Sequence, residues 1–384
     1  MPVKSRPHPE YDPVGIRHGN IFFYPSLGVS ESYNDNVFAS ESNPTSDFIT
    51  VFSPSLDVRS DGTRGGWHAG LSADLGRYLS ETRENYEDLS ATAGVRYDAL
   101  PGGTITADAG LARLHEDRSS PDDAGGTEPT EYNVAKASAG YLQRFNRLAV
   151  RLDLSARDLT YSDVSSGSGT VDNSDRDRLE TDESLRVSYD VMPGYSVFAR
   201  GTLSQRTYDQ NRDGGGFDRN SDGYRVDAGV TADLTGLLTL EVSAGYLTRD
   251  YEDSRLSSFD GFAAGTKAIW SVTRLTTVSA TVDRTVEETT VSGASGRLDT
   301  SGRLEVDHEL RRNVILSAEL GYRNSEFQDI SRTDNLFDAG ISADYLIAQG
   351  AKVSASAKHV ERTSDARGAD FSRNVVSVRL RYGF

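Results

Sequence analysis

The sequence predicts an all-β chain, a transmembrane antiparallel up-and-down β-barrel of about 18 strands over residues 20–384, preceded by an extended arm at residues 1–19. Three observations predict it. The last stretch, 371–384 (FSRNVVSVRLRYGF), puts Val376, Val378, Leu380, Tyr382 and Phe384 on one face and Ser377, Arg379, Arg381 and Gly383 on the other, which is the period of a strand. The same alternation begins near Asn20 and recurs to the end of the chain. Its segments are joined by tight and loose connections in strict succession.

Composition agrees. The chain has 384 residues, with 36 Gly and 18 Tyr against two Met, a balance suited to strands, turns and interfaces rather than helices. Mean hydropathy is -0.51. No window approaches the roughly 18 consecutive apolar residues of a membrane-crossing helix, so a membrane role must come through strands. Cysteine is absent, which excludes disulfide frameworks, thiolate nucleophiles and Cys-based metal sites. A net charge of -17 and a pI near 4.8 exclude a nucleic-acid partner for the protein as a whole. The opening MPVKSRPHPEYDPVGIRHGN lacks the apolar core of a secretory leader, so the expectation is a leader removed before Met1 or numbering from a mature form.

Taken in order, the arm at 1–19 is polar, carries Pro2, Pro7, Pro9 and Pro13, and has no period. The first strand, 20–33, sets Ile21, Phe23, Pro25, Leu27 and Val29 against Ser26, Gly28 and Ser30. The second presents Phe52, Pro54, Leu56 and Val58; after seven residues rich in Gly and charge, the third sets Trp67, Ala69, Leu71, Ala73 and Leu75 against His68, Ser72 and Asp74. Tight connections then fall at 101–103, 146–147, 193–194, 235–236, 274, 312–313 and 349–350, with longer polar stretches between them. Strands starting near 20, 47, 66, 85, 103, 130, 147, 177, 194, 222, 237, 259, 275, 297, 313, 334, 351 and 370 make eighteen. An even count puts both termini on the tight-turn side, expected to be periplasmic.

The apolar face is full of single alanines between larger residues, as in Leu89, Ala91, Ala93, Val95 and Tyr97. A lipid-facing surface has no close packing to satisfy, whereas a sandwich core would favour bulk. The opposite face is charged at nearly every strand: Arg96, Arg151, Asp153, Arg225, Asp227, Arg303, Glu305, Asp307, Asp338, Arg379 and Arg381 are the expected pore-lining residues. Aromatics gather at the tight-turn ends of the apolar face (Trp67, Tyr97, Phe145, Tyr189, Tyr195, Trp270, Tyr345, Tyr382), as a girdle at one membrane interface would. Glu183 and Arg284 fall on the apolar face and call for bulges or rim positions. A propeller would fit four short strands into each period of about 40 residues, where this chain fits two long ones.

The terminal Leu380, Tyr382 and Phe384 resemble the C-terminal signal of bacterial outer-membrane barrels, which implies the barrel assembly machinery and outer-membrane lipid as partners. IFFYPSLGVSESYNDNVFAS, SDFITVFSPSLDVRSD and ENYEDLSATAGVRYD resemble the type 2 putative β-barrel porin family of Gram-negative outer membranes. That resemblance implies an outer-membrane location and, since such proteins often accompany exopolysaccharide synthesis and export systems, an exit port for exopolysaccharide. A general diffusion porin for small solutes and a structural or adhesive surface barrel are the alternatives.

No catalytic constellation is evident. The histidines at 8, 18, 68, 115, 308 and 359 have no metal-ligand spacing, and no G-x-S-x-G turn selects a serine, so no enzymatic activity is expected. One loop carries a cation signal: Asp209, Asn211, Asp213 and again Asp218, Asn220, Asp222 each read D-x-N-x-D-G, the opening half of a calcium loop. The twelfth-position Glu is missing both times, and a merely solvated acidic loop is the alternative. Eighteen strands enclose more space than side chains fill, and no connection is long enough for a plug domain or distinctive enough for a folded-in constriction. A wide, uncapped lumen suited to a large, weakly charged solute is therefore expected, with the arm as a candidate contact for a periplasmic polysaccharide export protein.

Overall fold

The computed structural model describes residues 1–167 and 169–384. Eighteen strands follow one another: β1 (Ile21–Asn34), β2 (Asp47–Gly62), β3 (Gly65–Tyr78), β4 (Tyr86–Leu100), β5 (Gly103–His115), β6 (Glu131–Phe145), β7 (Leu148–Tyr161), β8 (Arg178–Met192), β9 (Tyr195–Tyr208), β10 (Ser221–Leu234), β11 (Leu238–Tyr251), β12 (Phe259–Thr273), β13 (Thr276–Glu287), β14 (Arg297–Arg311), β15 (Val314–Phe327), β16 (Thr333–Ala348), β17 (Ala351–Ser364) and β18 (Phe371–Gly383). Each pairs antiparallel with the next, and β18 pairs with β1 from Ser26↔Gly383 to Asn34↔Val375, so the sheet closes into a barrel without an edge. Strand starts and number agree with the sequence reading. One connection differs: the seven residues expected between the second and third strands reduce to a turn at Thr63 and Arg64, because the strands run on through Gly62 and Gly65.

Tight turns occupy one end of the barrel and long connections the other. The turn at Gln349 and Gly350 shows why its glycine is needed: Gly350 has φ of +72°, and a Cβ there would sit 1.8 Å from the carbonyl oxygen of Gly383 in the closing strand.

The large apolar residues point outward and stay exposed, among them Leu71, Leu89, Leu111, Leu203, Ile341 and Leu380. The predicted girdle residues Trp67, Tyr97, Phe145, Tyr189, Trp270, Tyr345 and Tyr382 lie on that outer face. A second outward set, Tyr33, Phe48, Tyr224, Tyr246, Phe262, Tyr322 and Phe337, lies nearer the long-loop end. Phe337 and Tyr345 share β16 eight residues apart, which at about 3.3 Å per residue and a tilt near 40° separates them by roughly 20 Å along the barrel axis, close to the height of a membrane's apolar band. Glu183 is exposed on the outer face, while Arg284 lies where the wall changes course, as described below.

The arm is more structured than an extended segment. Val3–Ser5 form a single 3-10 turn, and Ile16–His18 pair antiparallel with the first residues of β1 (Ile16↔Phe23, His18↔Ile21).

Candidate functional site

Because the outer face is apolar, every other residue of each strand faces the lumen. Arg96, Arg151, Asp153, Arg225, Asp227, Arg303, Glu305, Asp307, Asp338, Arg379 and Arg381 all fall on that inner face. Most meet an opposite charge on the same or a neighbouring strand: Arg96 with Asp98 at 3.1 Å, Arg151 with Asp153 at 2.7 Å, and Arg303 with Glu319 at 2.9 Å and Asp338 at 3.5 Å. Asp227, 1% exposed, accepts from both Arg200 (3.0 Å) and Arg225 (2.9 Å). It is buried against the wall opposite Gly245, where a Cβ would come within 2.8 Å of the Asp227 Cα. Arg381 donates to Ser26 Oγ, and Arg379 lies over Gly28.

The expected uncapped lumen is not what the structure has; it is narrowed at three levels. At the tight-turn end the arm enters the barrel. Val3 is fully buried and its N–H donates to Thr277 Oγ1 (3.0 Å); Lys4 pairs with Glu305 and with Asp307 (3.0 Å), and Arg6 with Glu309 (3.1 Å). Burial lowers the Lys4 ammonium, but its bonds to Glu305 and Asp307 more than offset this and hold it protonated more firmly than a free lysine. The chain then turns at His8, whose N–H donates to Asp12, and Tyr11 accepts from the Gly350 N–H (2.7 Å). A cavity of about 750 Å³ remains between arm and wall, lined by His8, Tyr24, Asp57, Arg59, Lys352 and Arg381 among others.

At mid-height a piece of the wall folds in. β13 pairs with β12 only as far as Gly265↔Asp283, although it stays paired with β14 to Glu287↔Arg297. Beyond that point Thr285, Val286, Glu287 and Glu288 line the same lumen cavity as residues of β3 to β9. Arg225 reaches from β10 to the fork, donating to the carbonyls of Ala264 (3.2 Å) and Arg284 (3.0 Å), two acceptors that the lost ladder leaves there.

The long-loop end is roofed. Residues 116–130, between β5 and β6, cross to the far side of the barrel: Asp122 accepts from Arg297 (3.0 Å) and from Thr289 (2.6 Å), while Asp117 accepts from Arg373 (3.2 Å) and Ser119 supplies a carbonyl to Arg362 (3.0 Å). The near side is held by Arg118, bidentate to Glu84 at 2.7 and 2.9 Å, both side chains almost fully buried. Burial pushes the Asp117 carboxyl up, but the Arg373 guanidinium and Ser119 outweigh it and hold it below the usual aspartate range. A neighbouring loop locks to this one through Arg176 and Glu116 (2.9 Å), and two further loops lock to each other through Arg219, which donates to the carbonyls of Thr289, Ala294 and Ser295. Replacing Glu84 with Ala removes the bidentate partner of the buried Arg118 guanidinium and leaves it only Asp123 at 3.3 Å, at a cost of about 1.5–3 kcal/mol. The expected result is faster tryptic cleavage after Arg118 in the detergent-folded protein; an unchanged cleavage rate would show that the roof is held elsewhere.

The six candidate calcium ligands are engaged differently from a cation loop. Asp213 accepts from Arg219 Nε (2.5 Å) and from the N–H groups of Gly215 and Phe217 (both 2.9 Å), Asn220 Oδ1 accepts from the Tyr208 N–H (2.8 Å), and Asp218 accepts from the Asn220 N–H (3.1 Å). Asp222 lies on the first turn of β10, across from Asp250, and Asp209 and Asn211 do not join a cluster; among the described residues no three His, Cys, Asp or Glu converge. Arg219, six positions beyond Asp213 and between Asp218 and Asn220 of the second motif half, occupies the Asp213 carboxylate that a cation would need. Proteolysis of 209–223 is therefore expected to be the same with calcium and with a chelator; protection by calcium would restore the cation reading.

Sequence reading missed the arm's place in the lumen, the crossing loop and the inward turn of β13. Two of these carried a usable signal: Lys4 and Arg6 are two residues apart, the spacing at which Glu305, Asp307 and Glu309 recur on the inner face of β14, and Arg284 falls on the apolar face where β13 turns inward.

A family model described as putative beta-barrel porin 2 matches residues 8–384. No curated protein matches the sequence. Among solved structures, OpdK of Pseudomonas aeruginosa, crystallised with vanillate, is 12% identical with a TM-score of 0.50, the match covering 94% of this chain and 99% of that one. A mutant of the ferric enterobactin receptor PfeA of Pseudomonas aeruginosa is 6% identical with a TM-score of 0.51, covering 94% of this chain and 80% of that one. At these identities the likeness is one of fold.

Proposed function

The chain belongs to the putative beta-barrel porin 2 family, and from that membership and the form of its lumen we propose that it is an outer-membrane channel for small solutes. The observation that carries the reading is the crossing of the lumen by residues 116–130 at one end and by the arm at the other, with a cavity of about 670 Å³ between them and one of about 750 Å³ beside the arm. Chambers of that size suit molecules of metabolite dimensions. Exopolysaccharide exit was expected from the resemblance to proteins that accompany export systems and from a wide, uncapped bore, and the crossing segments speak against the second of these premises. In this reading the tight-turn end, with both termini, faces the periplasm.

Liposome swelling with neutral sugars of increasing size tests the proposal. Rapid swelling with monosaccharides that falls off sharply by the trisaccharide is expected. Equal entry of long oligosaccharides, together with polymer retained in the periplasm of a deletion strain, would return the assignment to polysaccharide export. Absence of any swelling or conductance would leave a structural barrel.

A further inference from the structure

The mid-height cavity of about 670 Å³ has two unlike walls. The barrel wall contributes Lys136, Arg157, Glu180, Asp182 and Arg206, and the infolded end of β13 contributes Glu287 with Glu288 beyond it. Almost all of these charges are spoken for: Arg157 pairs with Glu180 (2.6 Å), Arg206 with Asp182 (3.2 Å), and Glu288 accepts from the Tyr208 hydroxyl (3.0 Å). Two are left over. Lys136, on the inner face of β6, and Glu287 have no ion-pair or hydrogen-bond partner among the described residues, and both line this one chamber.

We propose that this chamber is a binding site for small zwitterions, with Lys136 receiving the solute's carboxylate and Glu287 its ammonium group. The inference rests on the channel reading and names its solute class. A solute with one charge satisfies one of the two residues and leaves the other facing it unmatched; a neutral solute matches neither. A zwitterion matches both, and the arginines around them are already paired with neighbouring carboxylates and do not compete for the solute. The infolding of β13 is what makes this possible, since it carries a carboxylate away from the wall into a chamber lined by the strands that hold Lys136.

The test uses the full chain in planar bilayers, with 6-aminohexanoate, hexanoate and hexylamine as blockers of nearly equal size. Half-block by 6-aminohexanoate is expected at roughly a tenth of the concentration needed for either singly charged compound, the loss of a charge-assisted hydrogen bond being worth about that factor or more. Lys136→Gln should abolish the advantage and shift the reversal potential toward cation selectivity; Glu287→Gln should abolish it with a shift of the opposite sign, and Lys136→Arg should restore it. Equal block by the three compounds, or an advantage untouched in both Gln variants, would overturn the zwitterion site while leaving the channel standing. A wild-type protein that carries no current at all would instead overturn the channel.

Discussion

Replacing Leu380 and Tyr382 together by Asp is expected to abolish barrel formation, read as loss of the heat-modifiable band on gels and of protease resistance in detergent or lipid. Both side chains lie on the outer face of β18, about half exposed, where lipid would cover them. Removing a Leu side chain from an apolar environment forfeits about 1.5–3 kcal/mol, and placing a carboxylate on a lipid-facing position costs more on top. The double change therefore approaches the whole of a typical stability of about 5–15 kcal/mol. Position makes the effect larger than the same change elsewhere. β18 is the strand that closes the barrel, paired with β17 from Ala351↔Tyr382 to Arg362↔Phe371 and with β1 over its other edge, so its failure exposes two open ladders in a medium with no water to satisfy them. Replacing Arg379 and Arg381, the lumen-facing residues that immediately precede these two, with Ser should leave assembly intact. A Leu380, Tyr382 double variant that still forms a heat-modifiable barrel would mean that the outer face of β18 is not lipid-exposed.

The wall of this molecule was legible in the sequence and its interior was not, for a reason that lies in the range of the interactions. Strand alternation and turn chemistry act over a few residues, so Val376 to Phe384 or the turn at Pro193 and Gly194 identify themselves. The inner and outer faces follow from the alternation alone, which is why Arg151, Asp227 and Arg303 could be placed inside without coordinates. What narrows the lumen depends on partners 170 to 300 positions away in the chain: Asp122 with Arg297, Lys4 with Glu305, Arg6 with Glu309. Nothing in the polar stretch 116–130 distinguishes a loop that crosses the mouth from one that waves in solvent, because its ion pairs are made with residues of other hairpins. The calcium motif shows the opposite relation between sequence and structure. Its local spacing is correct, but an arginine contributed six residues further on, Arg219, occupies the Asp213 carboxylate. Arg284, the cation that strict alternation could not accommodate, marked a real feature: the wall forks beside it.

Deleting residues 1–13 is expected to raise single-channel conductance severalfold, because the arm is the element that enters the lumen from the tight-turn end. Its attachment is modest in strength, so the intact channel should already show the open state. Burial of Val3 is worth about 1.5–3 kcal/mol. The pairs of Lys4 with Glu305 and Asp307 are partly solvated, so each adds at most about 1 kcal/mol; Arg6 with the buried Glu309 is better sheltered. A docking free energy of about 3 kcal/mol would leave the arm withdrawn a little under one part in a hundred of the time. Rare, brief openings to the conductance of the deletion variant are therefore expected in recordings of the wild type. Lys4→Ala with Arg6→Ala should make them more frequent without changing their size, since it weakens the attachment but leaves the same two states. Raising the salt from about 0.1 M to 1 M, which shortens the screening length from about 10 Å to 3 Å, should act in the same direction on the wild type and hardly at all on the double variant. Identical conductance in the wild type and the deletion variant would show that the solute path avoids the arm and that the limiting constriction is the roof at 116–130. In that case Glu84→Ala, not the arm deletion, should be the change that widens the channel.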